Sequence, residues 1–174
     1  MLQKPPWMVR DNPAYDSNRI GAISEARVAA TLFETGKMVW APLFNVCSYD
    51  FVMEDEEGRF FRIQCKTGRL FRGAIFFRSH RLRAAKRETG WVRRVTDYLG
   101  KVDFFGVYCP ENGRVYLVPI ADVGTKKVCT LRLTPPKNHQ NKRIRWAKDY
   151  EVVPLENLAE MVIQAEREEA LLGP

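Results

Sequence analysis

The stretch "YDFVMEDEEGRFFRIQCKTGR", from Tyr49 to Arg69, is the part of this 174-residue sequence that decides the fold. It contains two short apolar runs on either side of an acidic turn, which is the pattern of a β-hairpin. We therefore predict strands near Ser48–Glu54 and Arg59–Thr67. An aspartate, a glutamine and a lysine interrupt these runs, at positions where packing alone favours valine or isoleucine.

The turn sets the register of this hairpin. Residues 56–58 form a three-residue loop with glycine at the left-handed position, which is a common hairpin connection. A loop of that length pairs Asp55 with Arg59. Counting back along both strands places Asp50 opposite Gln64, and such partners lie about 5 Å apart at Cβ and share a face. A slip of one residue would destroy this pairing.

The polar side chains of the hairpin have the chemistry of a metal site. The carboxylate of Asp50 and the amide of Gln64 supply oxygen ligands that suit Mg²⁺ or Mn²⁺. The backbone carbonyl of Cys65 is a further candidate ligand, and Glu25 adds a negative charge if its helix packs across the site. Lys66 lies one pleat further on, where a lysine would help to orient or deprotonate a metal-bound water, or stabilise charge on an attacked phosphate. Each residue alone is more typical of an ordinary turn or strand, but the combination favours a site.

The region before the hairpin is predicted to be an extended arm followed by a helix. Residues 1–18 contain three prolines and no periodicity. A helix from Arg19 to Thr35, capped by Ser17 or Asn18, follows from the spacing of its apolar residues. The predicted core face consists of Ile20, Ile23, Ala26, Ala30 and Phe33. That face places Glu25 at the border of the buried surface.

The rest of the chain completes an α/β pattern in one domain, residues 19–174. Residues 79–101 are basic and irregular, with no clear element. A long acidic helix from Pro154 to Leu171 closes the chain. The other predicted elements are strands at 38–41, 74–78, 102–110, 114–120 and 128–133, with a helical turn at 121–123.

Charge is concentrated in two tracts. Residues 59–94 hold twelve Lys or Arg and the single acid Glu88, and "PKNHQNKRIRWAK", residues 136–148, holds five Lys or Arg and no acid. Such concentration, with tryptophans nearby, indicates a polyanion partner, most simply nucleic acid, rather than a solvated face. Four cysteines without a CxxC pair argue against zinc and for a cytoplasmic protein. No apolar run has the length of a membrane span, and no signal-peptide pattern opens the chain.

A helix glutamate, a hairpin aspartate and a strand with (D/E/Q)-x-K resemble the PD-(D/E)XK nuclease superfamily. The ordered segments "SEARVAATLFETGKMVWAPL", the hairpin, "VDFFGVYCPENGRVYLVPIADV" and "LRLTPPKNHQNKRIRWAKDYE" are similar to group I intron-associated homing endonucleases of that superfamily. The resemblance spans about residues 19–151. It implies a restriction-endonuclease-like core, a central mixed β-sheet flanked by helices.

The resemblance also implies an activity and assigns the site. The activity is divalent-metal-dependent hydrolysis of DNA, which leaves 5′-phosphate and 3′-hydroxyl ends. Asp50, Gln64 and Lys66 correspond to the metal-binding and catalytic positions, and Glu25 to the helix glutamate. The sequence departs from the pattern at Tyr49, which replaces a proline, and at Gln64, which replaces an acid and removes a charge from the metal site.

DNA is the expected partner, bound by a homodimer or homotetramer, because cutting two strands with one site per subunit needs at least a pair. Two alternatives stay open: a Holliday-junction resolvase with the same active site, and a DNA-binding module without catalysis. An RNA-processing nuclease has less support, since no RNA-binding module is visible. The residues predicted to contact DNA are Arg69, Arg72, Arg78, Arg81, Arg83, Lys142, Arg143, Arg145 and Trp146.

Overall fold

The computed structural model describes residues 16–44, 46–87, 90–136 and 144–155, together with 160 and 163; at 82–87 and 90–94 it describes the backbone alone. The first element, α1, spans Ser17–Glu34. Its cap is Asp16, whose Oδ1 accepts a hydrogen bond from the backbone N–H of Asn18 at 2.9 Å. The helix therefore begins two residues before the predicted start, and the predicted cap residues lie inside it. Residues 1–15 of the predicted arm lie outside the described part.

After α1, the described residues include ten strands and the short helix α2 (Ile120–Val123). A 3₁₀ turn follows at Ala147–Asp149. The strands are β1 (Met38–Trp40), β2 (Phe51–Glu54), β3 (Phe60–Thr67), β4 (Arg69–Phe71), β5 (Ala74–Arg78), β6 (Arg81–Arg87), β7 (Gly90–Thr96), β8 (Phe104–Cys109), β9 (Arg114–Pro119) and β10 (Val128–Arg132).

A mixed five-stranded sheet forms the centre, in the order β1-β2-β3-β8-β9. Strands β3 and β8 run parallel, and the other neighbours in this sheet are antiparallel. A second sheet, β10-β5-β4, is three-stranded, and β6 and β7 form a separate two-stranded ribbon. The predicted α/β fold with a central mixed sheet is confirmed. Among the described residues, no helix is long and apolar enough to cross a membrane.

Helix α1 covers one face of the central sheet, and the three-stranded sheet packs against the other. The core under α1 joins Val28 and Leu32 to Met53 and Ile63. The second core joins β5 and β10 to β8 and β9, with Phe105, Val107, Ile75 and Leu131 among its fully buried residues. Strand β3 is thus central, with its alternate side chains directed to the two layers.

The predicted core face of α1 is wrong. Its buried residues are Ser24, Val28 and Leu32, whereas Ile23 and Phe33 are 46% and 50% exposed. The reason is close packing between the helix and β8. A Cβ built on Gly106 would lie 2.6 Å from a methyl of Val28, so small residues rather than large ones face the sheet at this point.

Three strands were not predicted, and the predicted C-terminal helix is only partly covered by the described residues. Strand β4 is one of them. The region 79–101, predicted to be irregular, contains the β6–β7 ribbon, paired antiparallel from Arg81 with Thr96 to Arg87 with Gly90. Of the predicted helix at 154–171, residues 155, 160 and 163 are helical, and most of the others lie outside the described residues.

Candidate functional site

The hairpin has the register that the turn predicts. Phe51 pairs with Ile63, and the backbone N–H of Asp50 donates to the carbonyl of Ile63 at 2.8 Å. At the turn, the N–H of Asp55 donates to the carbonyl of Arg59 at 3.0 Å. This register places Asp50 opposite Gln64, as expected.

Three oxygen-bearing groups converge where β2 begins, beside β3. Oδ2 of Asp50 accepts hydrogen bonds from the Cys65 backbone N–H, at 2.7 Å, and from Nε2 of Gln64. The same Gln64 nitrogen lies 3.4 Å from the carbonyl oxygen of Cys65. The side chain of Asp50 thus extends the β-ladder on the N-terminal side of Phe51, the first paired residue of β2. It brings a carboxylate, an amide and a backbone carbonyl together.

Lys66 is held by a residue that is distant in sequence. Its Nζ donates to Oη of Tyr98 at 2.9 Å and lies 4.6 Å from the centroid of the Tyr98 ring. No sequence pattern indicates this contact, because Tyr98 lies in an unpatterned segment 32 residues further along the chain. The site therefore includes a residue that sequence reasoning missed.

Glu25 reaches the site because α1 is bonded to the end of β3. Oγ of the buried Ser24 lies 2.7 Å from Oγ1 of Thr67, and Ser24 also donates to the carbonyl of Ile20 at 3.0 Å. Glu25 follows Ser24 and is half-buried, as predicted. It shares a pocket of about 280 Å³ with Asp50, and the other lining residues are Ala41, Pro42, Leu43, Phe44, Tyr49 and Phe51.

The electrostatics of the two carboxyls reflect this crowding. Burial raises the pKa of Asp50, and the Cys65 N–H, Lys66 and Arg81 offset part of that rise. Burial also raises the pKa of Glu25, the charge of Asp50 raises it further, and Lys66 opposes both. Burial, followed by the charges of the same two acids, raises the pKa of the Cys65 thiol well above its ordinary value. The thiol is therefore neutral at physiological pH.

Ionised Glu25 should cost the protein stability. Because its pKa is higher in the folded chain than in the unfolded one, the folded state gains stability below the ordinary value of 4.5. That gain is lost as the pH rises through the folded pKa. We expect Glu25→Gln to raise Tm at pH 7 by a few degrees at most and to have no effect at pH 4, measured by thermal unfolding. An equal gain at both pH values would contradict this origin.

A basic cleft of about 530 Å³ begins at Lys66. The described residues that line it include no acid. Arg69 and Arg78, both predicted to contact DNA, line it. The other lining residues are Thr67, Phe76, Phe77, His80 and Val128.

The other predicted DNA-contacting residues are dispersed. Arg72 is exposed, with its guanidinium 5.0 Å from the ring centroid of Phe71. Arg81 lies at the start of the ribbon, where its charge acts on Asp50. Arg145 donates to the carbonyl of Asp122, and the backbone of Trp146 forms an isolated parallel β-bridge with that of Arg132. The side chain of Arg83 lies outside the described part, as do Lys142 and Arg143 entirely.

The described residues contain no group of three or more His, Cys, Asp or Glu side chains arranged to hold a metal ion. Any ion site here therefore depends on the amide of Gln64 and on a backbone carbonyl as well as on carboxylates. Those are oxygen donors, which hard divalent cations prefer.

Comparisons with known proteins agree with the fold described above. A family model described as "PD-(D/E)XK endonuclease" matches residues 15–153. Among solved structures, the bacterial homing endonuclease I-Ssp6803I is similar with a TM-score of 0.59 and 19% identity, over 89% of this chain and 98% of that one. At that identity the likeness shows a shared fold. No curated protein matches the chain.

Proposed function

The chain belongs to the PD-(D/E)XK endonuclease family, and we propose that it is a divalent-metal-dependent, sequence-specific DNA endonuclease of the homing type. The observation that carries this proposal is the convergence of Asp50, Gln64 and the Cys65 carbonyl, with Lys66 on the adjacent pleat. Glu25, from α1, completes the proposed catalytic set.

The donor set at this point fits Mg²⁺ or Mn²⁺. The Gln64 amide group, whose hydrogens are positively polarised, already donates to the Asp50 carboxylate and lies near the Cys65 carbonyl. A half-turn of that amide would present its Oε1, so the same three groups would hold a cation, with Glu25 as the second carboxylate. When bound, a divalent cation would stabilise charge on the attacked phosphate and make a water molecule more acidic.

The residues themselves define the remaining chemistry. Hydrolysis adds a water oxygen to phosphorus and breaks the bond to the 3′ oxygen, which takes up a proton. The Lys66 ammonium has three N–H donors, of which one goes to Tyr98. Among the described residues Lys66 Nζ has no other hydrogen-bond partner, so the other two can donate to a phosphate oxygen that gains charge. Asp50 and Glu25 provide the negative charge that attracts the cation.

The β6–β7 ribbon and the basic cleft are the proposed DNA surface. The ribbon has six Lys or Arg, and Arg83 and Arg94 are register partners. A two-stranded ribbon fits the major groove of B-DNA. Because Arg81, at its root, acts on Asp50, a groove-bound ribbon would lie beside the scissile phosphate.

DNA affinity should fall steeply with salt. A surface that contacts six or more phosphates loses on the order of 10³-fold or more in affinity between 50 and 200 mM salt, because bound counterions are released. Arg78→Ala, in the cleft, should reduce the slope of log K against log salt by about one. Arg59→Ala is the matched control, because Arg59 pairs with Asp55 and Glu57 at the far end of the hairpin. A flat salt response would contradict the proposed surface.

A cleavage assay tests the function. The protein is incubated with long linear duplex DNA and a randomised duplex library, beside a four-way junction and a linear duplex of matching sequence. We expect discrete linear fragments with 5′-phosphate and 3′-hydroxyl ends, abolished by EDTA and restored by Mg²⁺. Cleavage confined to the junction would establish the resolvase alternative. Binding without cleavage of any substrate would establish the non-catalytic one.

The oligomer follows from the same chemistry. One site per chain cuts one strand, so double-strand cleavage requires a homodimer or homotetramer. Sedimentation of the protein with a duplex that it cleaves should show at least two protein chains per duplex.

A further inference from the structure

The only described hydrogen bond of the Lys66 ammonium group goes to the hydroxyl of Tyr98. The ring of Tyr98 is 3% exposed and packs edge-on against the fully buried Phe105, with their centroids 5.5 Å apart. The backbone carbonyl of Tyr98 accepts from the N–H groups of Lys101 and Val102, at 3.0 and 3.3 Å. Both the ring and the main chain of this tyrosine are therefore fixed.

Packing alone does not explain why this residue has a hydroxyl group. Phenylalanine would fill the same space beside Phe105, and a buried hydroxyl is costly unless it has a partner. The partner here is Lys66, whose flexible four-carbon side chain loses considerable rotamer freedom when its ammonium group is fixed. An acceptor at 2.9 Å from Nζ, itself fixed on a buried ring, restricts where the ammonium can lie.

We propose that Tyr98 is the positioning residue for Lys66, an inference that rests on the proposed role of Lys66 in cleavage. The hydroxyl orients the ammonium so that its remaining donors face the scissile phosphate. Tyr98 also lies two residues beyond the end of β7. It therefore joins the ammonium to the root of the ribbon, and DNA bound there is linked to the catalytic group through one side chain.

Tyr98→Phe tests the proposal, because it removes one oxygen atom and keeps the ring. The assay uses the full-length protein, saturating Mg²⁺ and a duplex that the wild type cleaves. We expect kcat to fall roughly tenfold, which is the loss expected for a slightly misplaced catalytic group, and KM to stay within twofold. Tyr116→Phe is the matched control. Tyr116 is also fully buried in the same core, and its hydroxyl accepts from Nδ2 of Asn112 at 2.8 Å. Its loss should leave kcat unchanged.

A second readout separates positioning from stability. The ¹⁵N resonance of the Lys66 ammonium, assigned by its absence in Lys66→Arg, should shift in Tyr98→Phe and stay in place in Tyr116→Phe. An unchanged kcat in Tyr98→Phe would overturn the proposal, and a faster one would show that Tyr98 restrains Lys66 instead. A fall in kcat without a shift of the Lys66 resonance would also overturn it. Full cleavage by Lys66→Ala would overturn the proposed function itself, which is a separate outcome.

Discussion

Lys66→Ala should reduce Mg²⁺-dependent cleavage by about 10²–10³-fold, the usual loss when one group that stabilises transition-state charge is removed. Asp50→Asn should reduce it at least as much, because Asp50 is the proposed metal ligand and also the acceptor for the Cys65 N–H and Gln64. Single-turnover cleavage at saturating protein measures this effect. DNA affinity should stay within a few-fold for Asp50→Asn and fall modestly for Lys66→Ala.

Lys37→Ala is the matched control for the lysine substitution. Lys37 forms an ion pair with the exposed Glu56, and its Nζ–Oε1 distance is 3.3 Å, at the turn end of the hairpin. This control keeps the change of residue and of net charge but leaves the site intact, so cleavage should be unaffected. Equal losses for both variants would indicate a general electrostatic effect. No loss for either Lys66→Ala or Asp50→Asn would end the catalytic assignment.

Gly106→Ala should destabilise the protein by about 1–3 kcal/mol, the usual cost of overpacking a core. The added Cβ would lie 2.6 Å from Cγ1 of Val28 and 3.1 Å from Cγ2 of Ile63, which forces α1 away from the sheet. Because α1 carries Glu25, cleavage should also fall. Urea unfolding gives the change in free energy through its midpoint and slope.

Two further variants test whether that contact is the cause. Val28→Ala removes the methyl groups that Gly106→Ala meets, so the double variant should be more stable than the sum of the single effects predicts. Gly21→Ala is the control, because a Cβ there meets nothing within 4 Å. In the helix it should stabilise by up to about 1 kcal/mol. Strict additivity of the Gly106 and Val28 substitutions would contradict the packing explanation.

The hairpin and its polar residues were predictable because the information is local. A glycine at the left-handed position, residue 58, fixes the loop length, and the loop fixes the register of every pair back to Asp50. Side-chain alternation then places Gln64 and Lys66 on one face. The candidate site is therefore predicted from twenty-one consecutive residues and the position of one helix glutamate.

The buried face of α1 was not predictable from hydrophobicity, because the helix packs closely against the sheet at Gly106. Gly106 admits the helix at a distance where Ser24 and Val28 fit, and the Ser24 hydroxyl is satisfied by Ile20 and Thr67. Hydrophobicity ranks isoleucine and phenylalanine above serine for burial, so it predicts the wrong core face for α1. The spacing of apolar residues in α1 gives no information about the glycine that the helix packs against.

The ribbon and Tyr98 escaped prediction for a related reason. Strands β6 and β7 carry many charges and little alternation, so their pairing depends on each other and not on a local pattern. The Lys66–Tyr98 contact joins residues on either side of that ribbon. Only a prediction of the ribbon would have brought the two side chains together.

Mn²⁺ binding tests the central claim most directly. Electron paramagnetic resonance counts free Mn²⁺ in a titration of the full-length protein with a non-cleavable duplex, and it compares the wild type with Asp50→Ala and with the Lys37→Ala control. We predict saturable binding by the wild type and the control, and its loss in Asp50→Ala. Equal binding by Asp50→Ala would show that the ion lies elsewhere, and it would contradict a metal centre built from Asp50, Gln64 and the Cys65 carbonyl.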